Sequence, residues 1–79
     1  MNRMIYHVVP FKSNELLEWA VKLEGRLGYL QVFRNKIDAI DYARKLAKIY
    51  LLGQMKIHDS HGVIQYESTF GKDPERYPG

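Results

Sequence analysis

One stretch of this chain repeats its apolar residues with the period of an α-helix. At about 100° per residue, Ala39, Ile40, Ala43, Leu46, Ala47, Tyr50 and Leu51 fill one broad arc of the run from Lys36 to Leu52. Asp41, Arg44, Lys45 and Lys48 fill the opposite face, and Asp41 stands four residues before Lys45, the favourable order for an ion pair along a helix. Asn35 has the side chain of an N-cap, Asp38 sits near the positive end of the helix dipole, and Gly53 suits the position after the last turn. The remaining apolar segments read as strands. A single helix can cover only one face of the sheet those strands form, and this constrains the fold more than any other feature.

The strand signals are Met4 to Phe11, Trp19 to Leu23, Tyr29 to Arg34, Met55 to His58 and Val63 to Phe70. Pro10 cannot donate a ladder hydrogen bond and marks an edge or a strand end. Trp19, Val21 and Leu23 alternate with Ala20, Lys22 and Glu24, the period of a half-buried strand. Lys12 to Glu15 is a polar connection, Gly25 to Gly28 a turn, and Asp59-Ser60-His61-Gly62 has hairpin chemistry. The order β-β-β-α-β-β predicts an α+β fold: a small antiparallel sheet with the helix packed on one face. The core expected from the two periods is Trp19, Val21, Ile40, Ala43, Leu46, Ala47, Ile57 and Ile64.

With 79 residues the chain is one domain, with a folded body over 1–70 and an irregular arm over 71–79 that contains Pro74 and Pro78. A chain this short buries a thin core. It has no cysteine, so neither a disulfide nor a cysteine-based zinc site supports the fold. Good packing or self-association remains. No apolar run is long enough to span a membrane and the first residues lack the pattern of a secretory leader, which predicts the cytoplasm.

The net charge is +3, yet no block of five like charges occurs. Residues 1–35 carry five basic and three acidic groups, 36–52 four and two, and 53–79 three and four.

Three segments resemble a small bacterial family known as domain of unknown function 2188. They are Trp-Ala-Val-Lys-Leu-Glu-Gly at 19–25, the helix stretch from Ala39 to Ala47, and Ile57-His58 followed by Gly62 to Glu67. Tyr6 to Pro10 and Phe70 to Pro74 also fit, so the likeness covers nearly the whole chain. The link from Lys12 to Glu18 is longer and more apolar than the short glycine-containing turn of the family. The resemblance implies a fold and a bacterial or prophage origin, and no activity.

Residues with chemical potential are few. His58, Asp59 and His61 have metal-binding side chains, but a site needs three convergent ligands and His7 is the only other histidine, so a solvated turn without metal is expected. Ser13, Ser60 and Ser68 with the histidines and aspartates supply the letters of a hydrolase triad without a nucleophile elbow. Neither enzyme activity nor any cofactor is expected.

Two binding readings follow instead. In the first, the protein associates with itself, most simply as a homodimer. The competing cover for the open face is the tail, with Tyr77, Pro74 and Pro78 folded back over it. Strand three is apolar on both sides, with Tyr29 and Phe33 pointing one way and Leu30 and Val32 the other. Tyr42 and Ile49 lie outside the helix's main arc, seven residues apart. In the second, less favoured reading, the three-stranded sheet binds nucleic acid through Lys22, Arg26, Arg34 and Lys36, as basic sheet faces do in some DNA-binding domains. Glu18 and Glu24 share the strand parity of Lys22 and dilute that patch.

Overall fold

A computed structural model describes residues 3–50 and 52–70. The arm at 71–79 and Leu51 lie outside the described residues. Five strands and one helix follow one another as β1 (Met4–Ser13), β2 (Leu16–Leu23), β3 (Gln31–Phe33), α1 (Lys36–Ile49), β4 (Gly53–His58) and β5 (Ile64–Thr69). The α+β class and the succession of elements agree with the sequence reading. The expectation of an antiparallel sheet is corrected. The strands lie in the order β3-β2-β1-β4-β5, and β1 runs parallel to β4 while every other pair is antiparallel. The chain completes the β1–β2–β3 meander on one side, crosses through α1, and returns to the other side of β1.

β1 is thus the central strand, not an edge. Its pairing with β4 runs from Met4 to Val8, whereas its pairing with β2 continues to Ser13. Pro10 lies beyond the end of β4, where its missing N–H deprives no β4 partner. The link from Lys12 to Glu18 is also corrected, because both strands extend into it and only Asn14 and Glu15 remain as the turn. Both adopt positive φ, 51° and 69°, the left-handed pair of a tight two-residue hairpin. Glycine is the usual residue at the second position, and Glu15 there escaped a reading based on glycine.

Register assigns the side chains to faces. Tyr6 and Val8 of β1, Trp19 and Val21 of β2, Phe33 of β3, and Met55 and Ile57 of β4 point toward α1. The helix packs over β1 to β4 with Ala39, Ala43 and Ala47, which recur every four residues and are fully buried. Alanine on that stripe lets the helix axis come close to the sheet.

The helix ends sooner than expected, at Ile49, with Tyr50 as C-cap. The N–H of Tyr50 donates to the carbonyl of Ala47 at 3.3 Å. Asn35 stands at the N-cap in extended conformation, but its side chain makes no capping bond and turns to Asp38 at 3.5 Å. Gly53 is not a helix terminator. It opens β4 beneath the last turn, where a Cβ would overlap the Ala47 carbonyl, whose carbon would lie 2.6 Å away. The pair expected along the helix is present, with Lys45 Nζ at 3.3 Å from Asp41.

Of the expected core, Trp19, Val21, Ala43, Ala47 and Ile57 are buried, and Ile40 and Leu46 are half-buried at the margin. Ile64 is corrected to the surface, 43 % exposed on the edge strand. Tyr6, Val8, Ala39 and Met55 complete the core. Burial first, then Tyr50 nearby, pushes the Tyr6 hydroxyl up to about 12.

Candidate functional site

Among the described residues the helix covers one face of the sheet and no element lies over the other. Alternation along the strands brings Ile5, His7, Val9 and Phe11 of β1 to it. Beside them lie Glu18, Ala20, Lys22 and Glu24 from β2 and its end, Val32 of β3, and Gln54, Lys56 and His58 of β4. This open face has two halves.

The first half is apolar. Phe11 meets Tyr29 edge to face with ring centroids 5.2 Å apart, and Lys22 holds its ammonium 6.0 Å from the Tyr29 ring. Val9 and Val32 are half-buried beside Ala20, which is fully buried. Tyr29 is 50 % exposed and Leu30 46 %.

The second half is polar and internally bonded. The His7 ring nitrogen Nε2 lies 2.7 Å from Glu24 Oε1, and Nδ1 lies 2.9 Å from His58 Nε2. His58 Nδ1 in turn lies 3.0 Å from the Gly62 carbonyl oxygen. Next to this chain, Gln54 donates to Glu67 at 3.0 Å. The hydrogen bond from His7 holds the Glu24 carboxyl below its ordinary value, with Lys56 adding to the effect. The turn that supplies Gly62 is built by Asp59, whose Oδ1 accepts from the backbone N–H groups of His61 and Val63 at 2.9 and 3.0 Å. Those bonds lower the Asp59 carboxyl, the one from Val63 most.

His58, Asp59 and His61 therefore separate. Asp59 and His61 belong to the turn, while His58 joins His7 across the sheet. Glu24 and His58 approach opposite sides of the His7 ring, so the three groups share no centre. Among the described residues no cluster of three or more His, Asp or Glu could hold a metal ion. Ser13, Ser60 and Ser68 lie at the β1–β2 turn, the β4–β5 turn and the helix side of β5. An open notch of about 360 Å³ between the outer edge of α1 and β5 is lined by Ile37, Ile40, Arg44 and Tyr66 among others.

The six residues expected to form one apolar surface divide into three places. Tyr29, Leu30 and Val32 lie on or beside the open face. Phe33 and Tyr42 are corrected to the helix side, where their rings pack 5.2 Å apart at the edge of the core. Tyr29 and Phe33 thus point to opposite faces, because the regular strand begins only at Gln31. Ile49 is 70 % exposed near the end of the helix, away from Tyr42's packing.

The four basic residues also divide. Lys22 is on the open face and Arg26 in the loop after β2. Arg34 follows β3, and Lys36 is on the helix side, 4.6 Å from the Trp19 ring and bonded to Gln65 at 2.8 Å. They do not form one patch.

The histidine chain was missed by the sequence reading, although one signal for it exists. A two-residue turn at Asn14–Glu15 fixes His7 opposite Lys22, which makes Glu24 a diagonal neighbour on the same face.

A family described as "Uncharacterized protein conserved in bacteria (DUF2188)" matches residues 6–70. The chain belongs to this family. The DUF2188 match begins at Tyr6, at the first core residue of β1, and ends at Phe70, directly after β5, so it spans nearly the whole sheet and all of the helix. No curated protein and no solved structure matches the chain. Among the described residues no helix is long and apolar enough to cross a membrane.

Proposed function

We propose that this DUF2188 protein is a non-enzymatic self-associating module of the cytoplasm, and that a second copy covers the open face of its sheet. The observation that carries the reading is the one-sided placement of α1, with no element among the described residues laid over Val9, Phe11, Tyr29 and Val32. Two properties of the face favour a second copy of this chain. Its polar groups already satisfy one another through the His7, His58 and Glu24 bonds and the Gln54–Glu67 bond, which lowers the cost of removing them from water. It also carries both signs, Lys22 and Lys56 beside Glu18, Glu24 and Glu67, so a copy turned about a two-fold axis presents complementary charge.

Sedimentation equilibrium tests the reading. At micromolar concentration the expected mass is twice 9.3 kDa. Tyr29→Asp should return the protein to monomer, whereas Ile49→Asp, on the helix, should leave the dimer intact. A mass of one chain at every concentration overturns the proposal.

A further inference from the structure

The hydrogen bonds of the open face fix a number of protons. A backbone carbonyl only accepts, so His58 Nδ1 must donate to Gly62. A carboxylate only accepts, so His7 Nε2 must donate to Glu24. Between the rings, one of His7 Nδ1 and His58 Nε2 must carry the hydrogen of the 2.9 Å contact. The four ring nitrogens therefore carry three protons, and two neutral imidazoles carry only two. The geometry points to a proton-operated clamp: His7 and His58 share one extra proton, balanced by Glu24, and that proton ties the β4–β5 turn and the end of β2 to the central strand.

Each neighbouring protonation state breaks the chain. With one proton fewer, two lone pairs face each other across 2.9 Å, or a terminal bond is lost. With one more, two N–H groups of two cations face each other. The surrounding charges are mixed. Lys22 of β2 and Lys56 of β4 stand in register with His7 and oppose the extra proton. Glu24 favours it from direct contact, and Glu67 of β5 stands opposite Lys56. Asp59 and His61 flank the turn below His58, Ile64 faces it from β5, and α1 packs on the other side of the sheet. His7 is mostly shielded from water, with 16 % of its side chain exposed. The clamp lies within one chain and operates whether or not the face meets a second copy.

The pair must titrate as a unit, in two steps. When unfolded, both rings gain protons near the ordinary histidine value of about 6.5. Below that range the unfolded chain binds one proton more than the clamp, and stability falls with acid. Above it the unfolded chain binds one fewer, and stability falls with base. The expected melting temperature is thus bell-shaped across neutral pH.

Nitrogen-15 NMR of the imidazoles, together with melting curves across pH, tests this. At about pH 6.5, three of the four His7 and His58 ring nitrogens should appear protonated, and the two rings should titrate in two separated, mutually dependent steps. In His58→Gln the bell should become a single limb falling with rising pH, from His7 and Glu24 alone. In Glu24→Gln, which alters only a half-exposed side chain, the extra proton should be lost at a lower pH than in the parent. Two rings that titrate independently, each as in the single-histidine variant, overturn the clamp. That result in the wild-type protein suffices even if His58→Gln fails to fold.

Discussion

The two faces of the sheet are built from adjacent residues of the same strands, and they differ in almost everything else. On the helix side, Val8, Val21, Met55 and Ile57 are fully buried beneath three alanines. On the open side, one residue along, stand Val9, Lys22, Lys56 and His58, half-buried and mixed in character. Two neighbouring valines, Val8 and Val9, show that apolarity alone does not decide burial. For these two valines the layer laid over the face decides it, although Ala20 and Gln54 are buried on the open face as well.

The comparison breaks most easily at the helix side. Ile57→Ala should cost ~2–5 kcal/mol, enough to unfold a marginal domain, because the cavity is enclosed by Val8 and the helix. Gly53→Ala should cost about 3 kcal/mol or more through overlap with the last turn of α1. On the open side, Ile64→Ala should cost only ~0.5 kcal/mol. Chemical denaturation of the three variants checks the contrast, and equal losses at Ile57 and Ile64 would contradict it.

Alkali separates the faces in another way. Burial raises the Tyr6 hydroxyl on the helix side from 10.0 to about 12. The unfolded chain releases that proton first, so its contribution to stability is complete below pH 10 and is lost as pH rises toward 12. Tyr6→Phe should flatten that alkaline decline. At the opposite end of the scale, the carboxyls of Glu24 and Asp59 are lowered, so their contribution is present above their unfolded values and is lost as pH falls through the folded ones. Melting curves of Asp59→Asn should show a weaker acid decline than those of the parent.

An effect as small as that of Ile64→Ala, but of opposite sign, is expected at the β1–β2 turn. Glu15 holds φ at 69°, a left-handed conformation that favours glycine. Glu15→Gly should therefore raise stability by about 0.5 kcal/mol, after the greater freedom of the unfolded glycine is counted. A loss of stability would show that the Glu15 side chain makes a contribution of its own.

Local periodicity made much of the fold legible. The helix from Lys36, the alternation around Trp19 and Val21, and the Asp59–Gly62 turn were all readable because neighbours in sequence produce them. The parallel pairing of Met4–Val8 with Gly53–Ile57 was not, because nothing local distinguishes a fourth strand that extends a meander from one that returns beside the first. The same gap hid the contact between His7 and His58, 51 residues apart. Leu16 and Leu17, both exposed at the start of β2, removed the alternation that would have announced that strand earlier. Phe33 and Tyr42 read as surface residues because a strand of three residues and a helix stripe of alanines leave room for both rings at the edge of the core.

Which surface a second copy would cover is the central question, and isotope-filtered NMR on a mixture of labelled and unlabelled chains addresses it directly. The account predicts intermolecular contacts from Val9, Phe11, Tyr29 and Val32. Contacts confined to α1 or to the outer edge of β5, or none at concentrations where sedimentation finds a dimer, would contradict it.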